Sequence, residues 1–357
     1  MAELNETPRA NRVHVAFFGL RNAGKSTLVN AFTGQDLAIV SDTPGTTTDP
    51  VSKAMEILPL GPCLVTDTAG LDDVGELGAL RVRKTLGVLA TADIAVWVAA
   101  TADERPDAAF LDECRRRAVP VIEFHRGDDV EELRRRVAAV CLADPLPGLL
   151  DGLVKRGDRV LCVCPIDESA PKGRLILPQQ QVIRECLEKG IFVGVVQPDG
   201  VTDGWDLVIA DSQAFREVSA KLPASRRLTS FSILFARQKG DLKAFLAGME
   251  ALKTLADGDL VAVAEGCTHH RQCNDIGTVK IPAALRRLTG RELRFEFFSG
   301  GGFVGESRPK LVVQCGGCML TRREMLRRIA LAADAGIPIV NYGMVLAAAA
   351  GVDFTRA

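Results

Sequence analysis

The sequence predicts an α/β protein in which a doubly wound N-terminal domain is followed by two smaller α/β domains. Apolar strand-like runs alternate with helical stretches along the chain, a pattern typical of parallel sheets covered by helices. The chain has 357 residues, which is long enough for two or three domains. Hydrophobic residues make up 47% and charged residues 25% of it, a globular rather than a disordered composition.

Three groups of elements set the predicted domains at residues 1–155, 156–256 and 257–357. The first group has strands at Val13–Gly19, Cys63–Thr66, Ile94–Ala99 and Val119–Phe124, and helices at Lys25–Phe32, Asp107–Ala118 and Val130–Cys141. The second has strands at Arg159–Cys164, Ile191–Val196, Leu207–Ile209 and Leu228–Ala236, and helices at Pro178–Lys189 and Ser212–Lys221. The third has strands at Asp259–Glu265, Lys310–Val313 and Ile337–Asn341, and a helix at Arg322–Ala335 that a Thr321–Glu324 capping box opens.

Charge and cysteine content exclude several classes of protein. The formal net charge is −1, so we expect neither nucleic acid nor a membrane surface as a partner. The chain contains no apolar run long enough to span a bilayer and no apolar signal core at its start, so we expect a cytoplasmic protein. Ten cysteines in that compartment indicate free thiols rather than structural disulfides, and closely spaced cysteines indicate a metal site.

A phosphate-binding loop follows the first predicted strand. Gly19-Leu-Arg-Asn-Ala-Gly-Lys-Ser26 matches GxxxxGK[ST] between a strand and a helix, the context that this motif requires. Its glycines let the backbone wrap around phosphates, whose negative charge then faces the amides and the helix N-terminus. We expect Lys25 to contact the β and γ phosphates and Ser26 to hold Mg²⁺. The nucleotide-contacting residues predicted here are Asn22, Ala23, Gly24, Lys25, Ser26 and Thr27.

Two further motifs follow in the order found in GTPases. The polar loop Pro44–Asp49 contains Thr46 and Thr47, and we expect Thr47 to supply a second Mg²⁺ ligand. Asp67-Thr-Ala-Gly70 ends an apolar strand, so Asp67 can bind Mg²⁺ through water and the Gly70 amide can reach the γ-phosphate. The three motifs together predict a Mg²⁺-dependent GTPase.

The predicted catalytic residues are Lys25, Thr47 and Gly70. Leu71 lies where some GTPases place a glutamine that orients the attacking water. A leucine side chain has no polar group for that task. Catalysis therefore requires another group, a partner or a cation.

Guanine recognition is expected after the strand that ends at Phe124. The usual motif there is NKxD, whereas this chain has His125-Arg-Gly-Asp128. Asp128 retains the carboxylate that can pair with the N1 and N2 hydrogens of guanine, but the usual Asn and Lys are missing. We therefore expect a guanine preference that depends on Asp128.

Cysteines and histidines form a second candidate site in the last third of the chain. Cys267-Thr-His269 follows one predicted strand and Cys315-Gly-Gly-Cys318 follows the next. If these strands are parallel neighbours, both groups emerge at the same sheet edge, and the helix beginning near Thr321 directs its positive end toward them. Three cysteines and one histidine could bind zinc, or a 4Fe-4S cluster with one iron left for another ligand, and the spacing leaves both open.

The motifs resemble those of a known group of proteins. GLRNAGKST, PGTTTD and DTAGLDD are similar to the Era and TrmE branch of GTPases, and GTTTDPV resembles the HydF family of FeFe-hydrogenase maturation GTPases within it. Segments at 170–178, 229–237, 275–282 and 341–343 also resemble HydF, so the resemblance covers nearly the whole chain. Asn22 matches a position at which potassium-activated relatives hold the cation, which implies a K⁺ requirement.

The HydF resemblance implies an iron–sulfur site rather than a zinc site. It implies that Cys267, Cys315 and Cys318 bind a 4Fe-4S cluster, with the fourth iron open, exchangeable or weakly held by His269. The family often has His where this chain has Gln314, and an amide is a poor iron ligand, so we expect Gln314 not to ligate. The resemblance also assigns homodimer formation to the middle domain and the cluster to the last domain.

The function implied by this resemblance is that of a scaffold or carrier. It would receive the diiron subcluster from two radical-SAM maturases and deliver it to apo FeFe-hydrogenase, with GTP hydrolysis regulating these encounters. Two alternatives remain at this stage: an Era- or TrmE-like GTPase in tRNA modification or ribosome assembly, and a zinc-containing regulatory GTPase. The near-neutral charge argues against the first, and visible absorbance of the purified protein separates iron from zinc.

Overall fold

The computed structural model describes residues 9–34, 50–72, 82, 84–143, 146–166, 175–266, 275–299 and 307–352. The chain divides into two compact units, Met1–Pro145 and Leu146–Ala357. Within the described ranges, every helix is too short or too polar to cross a membrane.

The first unit is built on a five-stranded sheet. Its strands are β1 (Val13–Phe18), β2 (Val51–Ile57), β3 (Gly61–Asp67), β4 (Ile94–Ala99) and β5 (Val121–His125), and its helices include α1 (Lys25–Thr33), α2 (Ala108–Arg116) and α3 (Val130–Leu142). The strand order is β2-β3-β1-β4-β5, with β2 antiparallel to β3 and all other neighbours parallel. This arrangement brings the carboxyl ends of β1, β3, β4 and β5 to one edge of the sheet.

Alternating side chains of β1 explain why helices cover both faces of this sheet. Successive strand residues point to opposite faces. Phe17 packs against Phe32 of α1 with ring centroids 5.3 Å apart, whereas Phe18 packs against Phe110 of α2 at 5.2 Å. These contacts belong to two separate buried clusters, one on each face. The predicted doubly wound α/β architecture is therefore confirmed.

The second unit contains two parallel sheets of four strands each. The first of them has β6 (Arg159–Val163), β7 (Phe192–Val196), β8 (Leu207–Ala210) and β9 (Leu228–Ser230), in the order β7-β6-β8-β9. The second has β10 (Leu260–Ala264), β11 (Arg294–Phe298), β12 (Leu311–Gln314) and β13 (Ile339–Asn341), in the order β11-β10-β12-β13. The helices include α4 (Leu177–Lys189), α5 (Phe215–Lys221), α6 (Phe231–Lys239), α7 (Leu242–Ala251), α8 (Ile281–Thr289), α9 (Arg322–Asp334) and α10 (Tyr342–Ala349).

One hydrophobic core is shared by these two sheets. Val208 of β8 and Val263 of β10 belong to the same buried cluster, together with Phe245 of α7 and Ile281 of α8. The two sheets therefore lie in one compact unit, and their predicted division into separate domains at residue 256 stays a prediction.

The predicted strand Leu228–Ala236 is wrong beyond Ser230, where α6 begins. The Ser230 hydroxyl caps the helix by accepting a hydrogen bond of 3.1 Å from the Ile233 amide. The residues from Phe231 to Ala236 are nearly all buried, so their apolar run shows no periodicity that separates a buried strand from a buried helix. This correction matters because α6 carries a lysine that reaches the loop at residues 315–318, the cysteine loop.

Candidate functional site

The phosphate-binding loop lies between β1 and α1, and two of its glycines are required by the backbone. A Cβ at Gly19 would collide with the Val98 carbonyl oxygen of the neighbouring strand β4. Gly24, which precedes α1, has φ 92°, a left-handed conformation that glycine adopts without strain. Asn22 also has a left-handed backbone, with φ 61°. The loop is therefore shaped by its sequence to turn tightly in front of the helix.

The structure brings together Lys25, Ser26 and Asp67, as expected for a phosphate and Mg²⁺ site. Lys25 is buried, and its Nζ donates to the Leu20 carbonyl at 2.7 Å and the Gly19 carbonyl at 3.3 Å. The Ser26 hydroxyl donates to Asp67 Oδ2 at 2.6 Å. Burial raises the pKa of the Asp67 carboxyl, whereas the Ser26 hydrogen bond and the Lys25 charge lower it, and the net shift is upward.

This pair of oxygen donors fits Mg²⁺. Asp67 is 3% exposed, and its Oδ1 has no hydrogen-bond partner among the described residues. A buried carboxylate oxygen without a partner is costly in the protein alone. A divalent cation, which prefers carboxylate and hydroxyl oxygens, would compensate it.

The DxxG segment packs directly against the phosphate-binding loop. A Cβ at Gly70 would lie 2.9 Å from the Arg21 amide nitrogen, and that amide donates to Asp72 Oδ1 at 2.6 Å. The buried Thr68 hydroxyl donates to the Phe17 carbonyl of β1 at 2.7 Å. Sequence reasoning missed the Arg21–Asp72 contact, because no local pattern marks a hydrogen bond between residues so far apart in the chain.

The remaining residues predicted to contact the nucleotide differ in exposure, and two of them lie outside the described residues. Ala23 is buried, whereas Asn22 and Thr27 are exposed. Thr46 and Thr47 lie outside the described residues, so their role in Mg²⁺ binding stays a prediction.

Asp128 stabilises the turn at residues 125–128, which is predicted to recognise guanine. This carboxylate accepts a hydrogen bond of 2.8 Å from the His125 amide through Oδ2, and Gly127 between them has φ 101°. The His125 ring Nε2 lies 2.8 Å from Arg105 Nη1. Asp128 is largely exposed, and its carboxylate carries a second oxygen that could face a base.

The cysteine loop emerges at the edge of the second four-stranded sheet. Strands β10 and β12 are parallel neighbours with Ala264 opposite Gln314, which is the condition under which both cysteine groups lie at one sheet edge. The Gly266 amide, which follows β10, donates to Cys315 Sγ at 3.1 Å. Residues 267–274 are outside the described ranges, so Cys267 and His269 as ligands stay predictions.

Both glycines between Cys315 and Cys318 are tightly packed. A Cβ at Gly316 would lie 2.8 Å from the Ser232 hydroxyl of α6, and one at Gly317 would collide with the Met325 methyl group of α9. Gly317 also has a left-handed φ of 69°. The CxxC loop therefore follows a path that side chains at either glycine would block.

Gln314 links this loop to a buried arginine. Its side-chain Nε2 lies 3.4 Å from Cys315 Sγ, and its Oε1 accepts from Arg328 Nη1 at 3.2 Å. Both residues are fully buried, and Arg328 Nε donates to Glu324 Oε1 at 3.0 Å. Thr321 caps α9 by accepting from the Glu324 amide, as predicted, while the Glu324 carboxylate pairs with arginines.

Lys239 is a residue beside the cysteine loop that sequence reasoning also missed. This last residue of α6 is 1% exposed, and its Nζ donates to the carbonyls of Leu320 at 2.7 Å, Cys318 at 3.2 Å and Gly317 at 3.3 Å. A lysine at the end of a helix ordinarily faces water, so neither its type nor its position in the sequence indicates this contact.

The cysteine loop fits a thiolate-bound metal centre. Burial raises the pKa of both thiols, to about 11 for Cys318, where Lys239 opposes the shift. Burial lowers the pKa of Lys239 to about 8, and the two cysteines oppose that change. A bound metal would deprotonate the thiols and provide the lysine with nearby negative charge. No group of three or more metal-ligating side chains occurs within the described ranges, which exclude Cys267.

Family models match three regions of the chain, residues 14–124, 149–240 and 243–357. Residues 149–240 match the hydrogen maturase F dimerization domain, and residues 243–357 match the hydrogen maturase F tetramerization domain. Together these two models cover more than half of the chain. Residues 14–124 match the model of the 50S ribosome-binding GTPase. The first unit is thus a P-loop GTPase domain.

Two curated relatives match 26% and 37% of the chain. The tRNA modification GTPase MnmE of Phenylobacterium zucineum is 43% identical over 95 residues, which are 26% of this chain and 21% of that protein. MnmE of Bacteroides thetaiotaomicron is 32% identical over 138 residues, 37% of this chain and 29% of that protein. The chain therefore spans less than a third of these relatives. A solved structure of Era from Aquifex aeolicus, bound to GDP and AlF4−, is 17% identical over 58% of this chain and 99% of its own, with a TM-score of 0.28.

Proposed function

Because the chain belongs to the hydrogen maturase F family, we propose that it is a GTP-hydrolysing scaffold for assembly of the FeFe-hydrogenase active site. It binds a 4Fe-4S cluster at the cysteine loop and delivers the diiron subcluster, its cargo, to apo FeFe-hydrogenase. Two radical-SAM maturases load that cargo. The family's oligomerisation domains are present, and we propose a homodimer formed through the first of them.

The nucleotide part of this proposal rests on the contacts around Asp67. Ser26 and Asp67 would hold Mg²⁺, which neutralises phosphate charge when bound. Lys25 would exchange its carbonyl partners for the β and γ phosphates, and the amides at the start of α1 would face them. The Gly70 amide, held against the loop, would approach the γ-phosphate.

A potassium ion is proposed to supply the positive charge that catalysis needs in place of a polar side chain at position 71. Leu71 has no polar group, and the Asn22 side chain provides a neutral oxygen at the exposed tip of the phosphate-binding loop. A monovalent cation there would stabilise charge that develops during hydrolysis. Turnover should therefore be faster in K⁺ than in Na⁺ at equal ionic strength, and equal rates would remove the cation from the proposal.

The cysteine loop is the single observation that carries the carrier function. Cys315 and Cys318 follow β12, and Cys267 follows the neighbouring strand β10 in the sequence, so we expect three thiolates at one centre. A 4Fe-4S cluster held by three cysteines would supply one iron for attachment of cargo. The chain's own task is to keep the thiolates together, with the Gly266 amide directed at Cys315.

Iron and sulfide analysis of anaerobically purified protein tests this proposal. We expect Cys315→Ala and Cys318→Ala to lose the cluster and to fail in activating apo-hydrogenase with a diiron complex, while GTP hydrolysis is retained. Cys186→Ala is the matched control, because Cys186 is a buried thiol of the same unit that lies on α4. Full iron content in both loop variants would refute the ligand assignment, and full activation without a cluster would refute the carrier role.

A tRNA-modifying role is the second candidate, because relatives that are 43% and 32% identical over part of the chain are tRNA modification GTPases. The formal net charge of −1 provides little attraction for RNA. Salt-dependent binding of tRNA by the intact protein would support this candidate over the carrier. A colourless protein that contains zinc would instead support a regulatory GTPase.

A further inference from the structure

The ammonium group of Lys239 is buried beside the two cysteines of the loop. We propose that Lys239 is a positioning residue, which fixes the backbone of the cysteine loop and supplies the positive charge that balances its metal centre. This inference rests on the proposed cluster binding and adds a residue to it. It also assigns a function to α6, which is far from the cysteine loop in the sequence.

The hydrogen bonds of Lys239 are all made to one short stretch of backbone. An ammonium group has three N–H donors, and the Nζ atom has three acceptors within 3.3 Å, at Gly317, Cys318 and Leu320. These carbonyls span the second half of the CxxC loop and end just before Thr321, the cap of α9. Lys239 therefore holds the segment that carries Cys318 against the start of that helix.

The charge of Lys239 is not matched by a carboxylate among the described residues. The centroid of the Phe235 ring lies 5.2 Å from Nζ, and Cys315 and Cys318 interact electrostatically with the ammonium group. A buried cation is costly unless an anion lies close to it. Thiolates that bind a metal at this loop would be that anion.

Two effects on the metal centre follow. Fixing the loop before metal binding strengthens retention of the metal, because the ligating conformation is already populated. A positive charge near an anionic cluster favours the reduced form, so it raises the reduction potential. A residue that only fills space would affect the first property and not the second.

Lys239→Met separates these effects from packing, because methionine has a similar length but no charge and no donor. We expect iron to be retained about tenfold more weakly against a chelator. We also expect a more negative midpoint potential in an electron paramagnetic resonance titration of the reconstituted full-length protein. Lys243→Met is the matched control, since Lys243 is exposed on the next helix, α7, and it should behave like the unaltered protein.

A second pair of variants keeps the test decisive if methionine prevents folding. Lys239→Arg retains the charge and Lys239→Gln retains donors without it, so only the glutamine variant should have a lowered potential. Equal potentials in these two variants, or a wild-type potential and iron retention in Lys239→Met, would overturn the inference. Absence of any cluster in the unaltered protein would instead refute the proposed function.

Discussion

At the level of single residues, the predicted nucleotide site depends on Gly19, Gly70 and the carboxylate of Asp67. Gly19 passes under the Val98 carbonyl and Gly70 lies against the Arg21 amide, so neither position accommodates a side chain. Asp67 accepts a hydrogen bond from Ser26. The motif positions of these residues could be predicted from the sequence, because each motif encodes a local backbone shape and a chemical group. The contacts that hold the motifs against one another could not.

Lys25→Ala should reduce GTP turnover by about 100-fold or more, because it removes a donor to charge on the transferred phosphate. The Lys25 side chain is buried against loop carbonyls, rather than lying on the surface, so a small loss of thermal stability should accompany this effect. Steady-state hydrolysis and thermal unfolding measure the two changes. Lys53→Ala, at an exposed lysine on β2, is the control. Wild-type turnover in Lys25→Ala would exclude this loop as the active site.

Gln314→Ala should leave the iron content nearly unchanged, because Gln314 hydrogen-bonds to a cysteine and is not itself proposed as a ligand. The same substitution removes an acceptor from buried Arg328, so unfolding free energy should fall by about 1–3 kcal/mol. Iron analysis and chemical denaturation distinguish these outcomes, with exposed Gln180→Ala as control. Iron loss comparable to that of Cys315→Ala would show that Gln314 does take part in ligation.

Elements with a clear burial pattern are the ones that the sequence predicted well. Strands β4 and β8 are apolar throughout, and β1 is apolar except for His14, so only their limits shift by a residue or so. Strand β2 was missed because it is largely exposed and antiparallel at the sheet edge. Helix α6 was misread because burial on all sides removes the periodicity on which the prediction depends.

Within the proposed dimerization domain, we expect strand β7 to pair two copies of the chain. It lies at the edge of its sheet in the described part of the chain, with Phe192 61% and Val195 45% exposed. Val195→Lys should shift the protein toward half its mass in light scattering, because a charge on an edge strand opposes strand pairing. Leu142→Lys, at an exposed leucine of α3, should not. A dimer that persists unchanged in Val195→Lys would place the interface elsewhere.

At the scale of the whole molecule, the nucleotide motifs and the cysteine loop belong to different compact units. Ligands should therefore stabilise the units separately. We expect a GTP analogue to raise one thermal transition, and iron–sulfur reconstitution to raise another. Differential scanning calorimetry with each ligand alone, and with both, measures this. A single transition that moves as a whole with either ligand would show that the units unfold together.

The shared core of the second unit limits whether its two family segments could be recombined with segments from other proteins of the family. Residue 239 belongs to the segment that matches the dimerization model, whereas the carbonyls that it contacts belong to the segment that matches the tetramerization model. In a chimera joined between these segments, the residue at position 239 would come from a different protein than the cysteine loop does, and it need not be a lysine. The side chains that the two segments contribute to the shared core would also come from different proteins. The two segments are therefore expected to be inherited as a pair, with substitutions near Lys239 followed by substitutions in the loop.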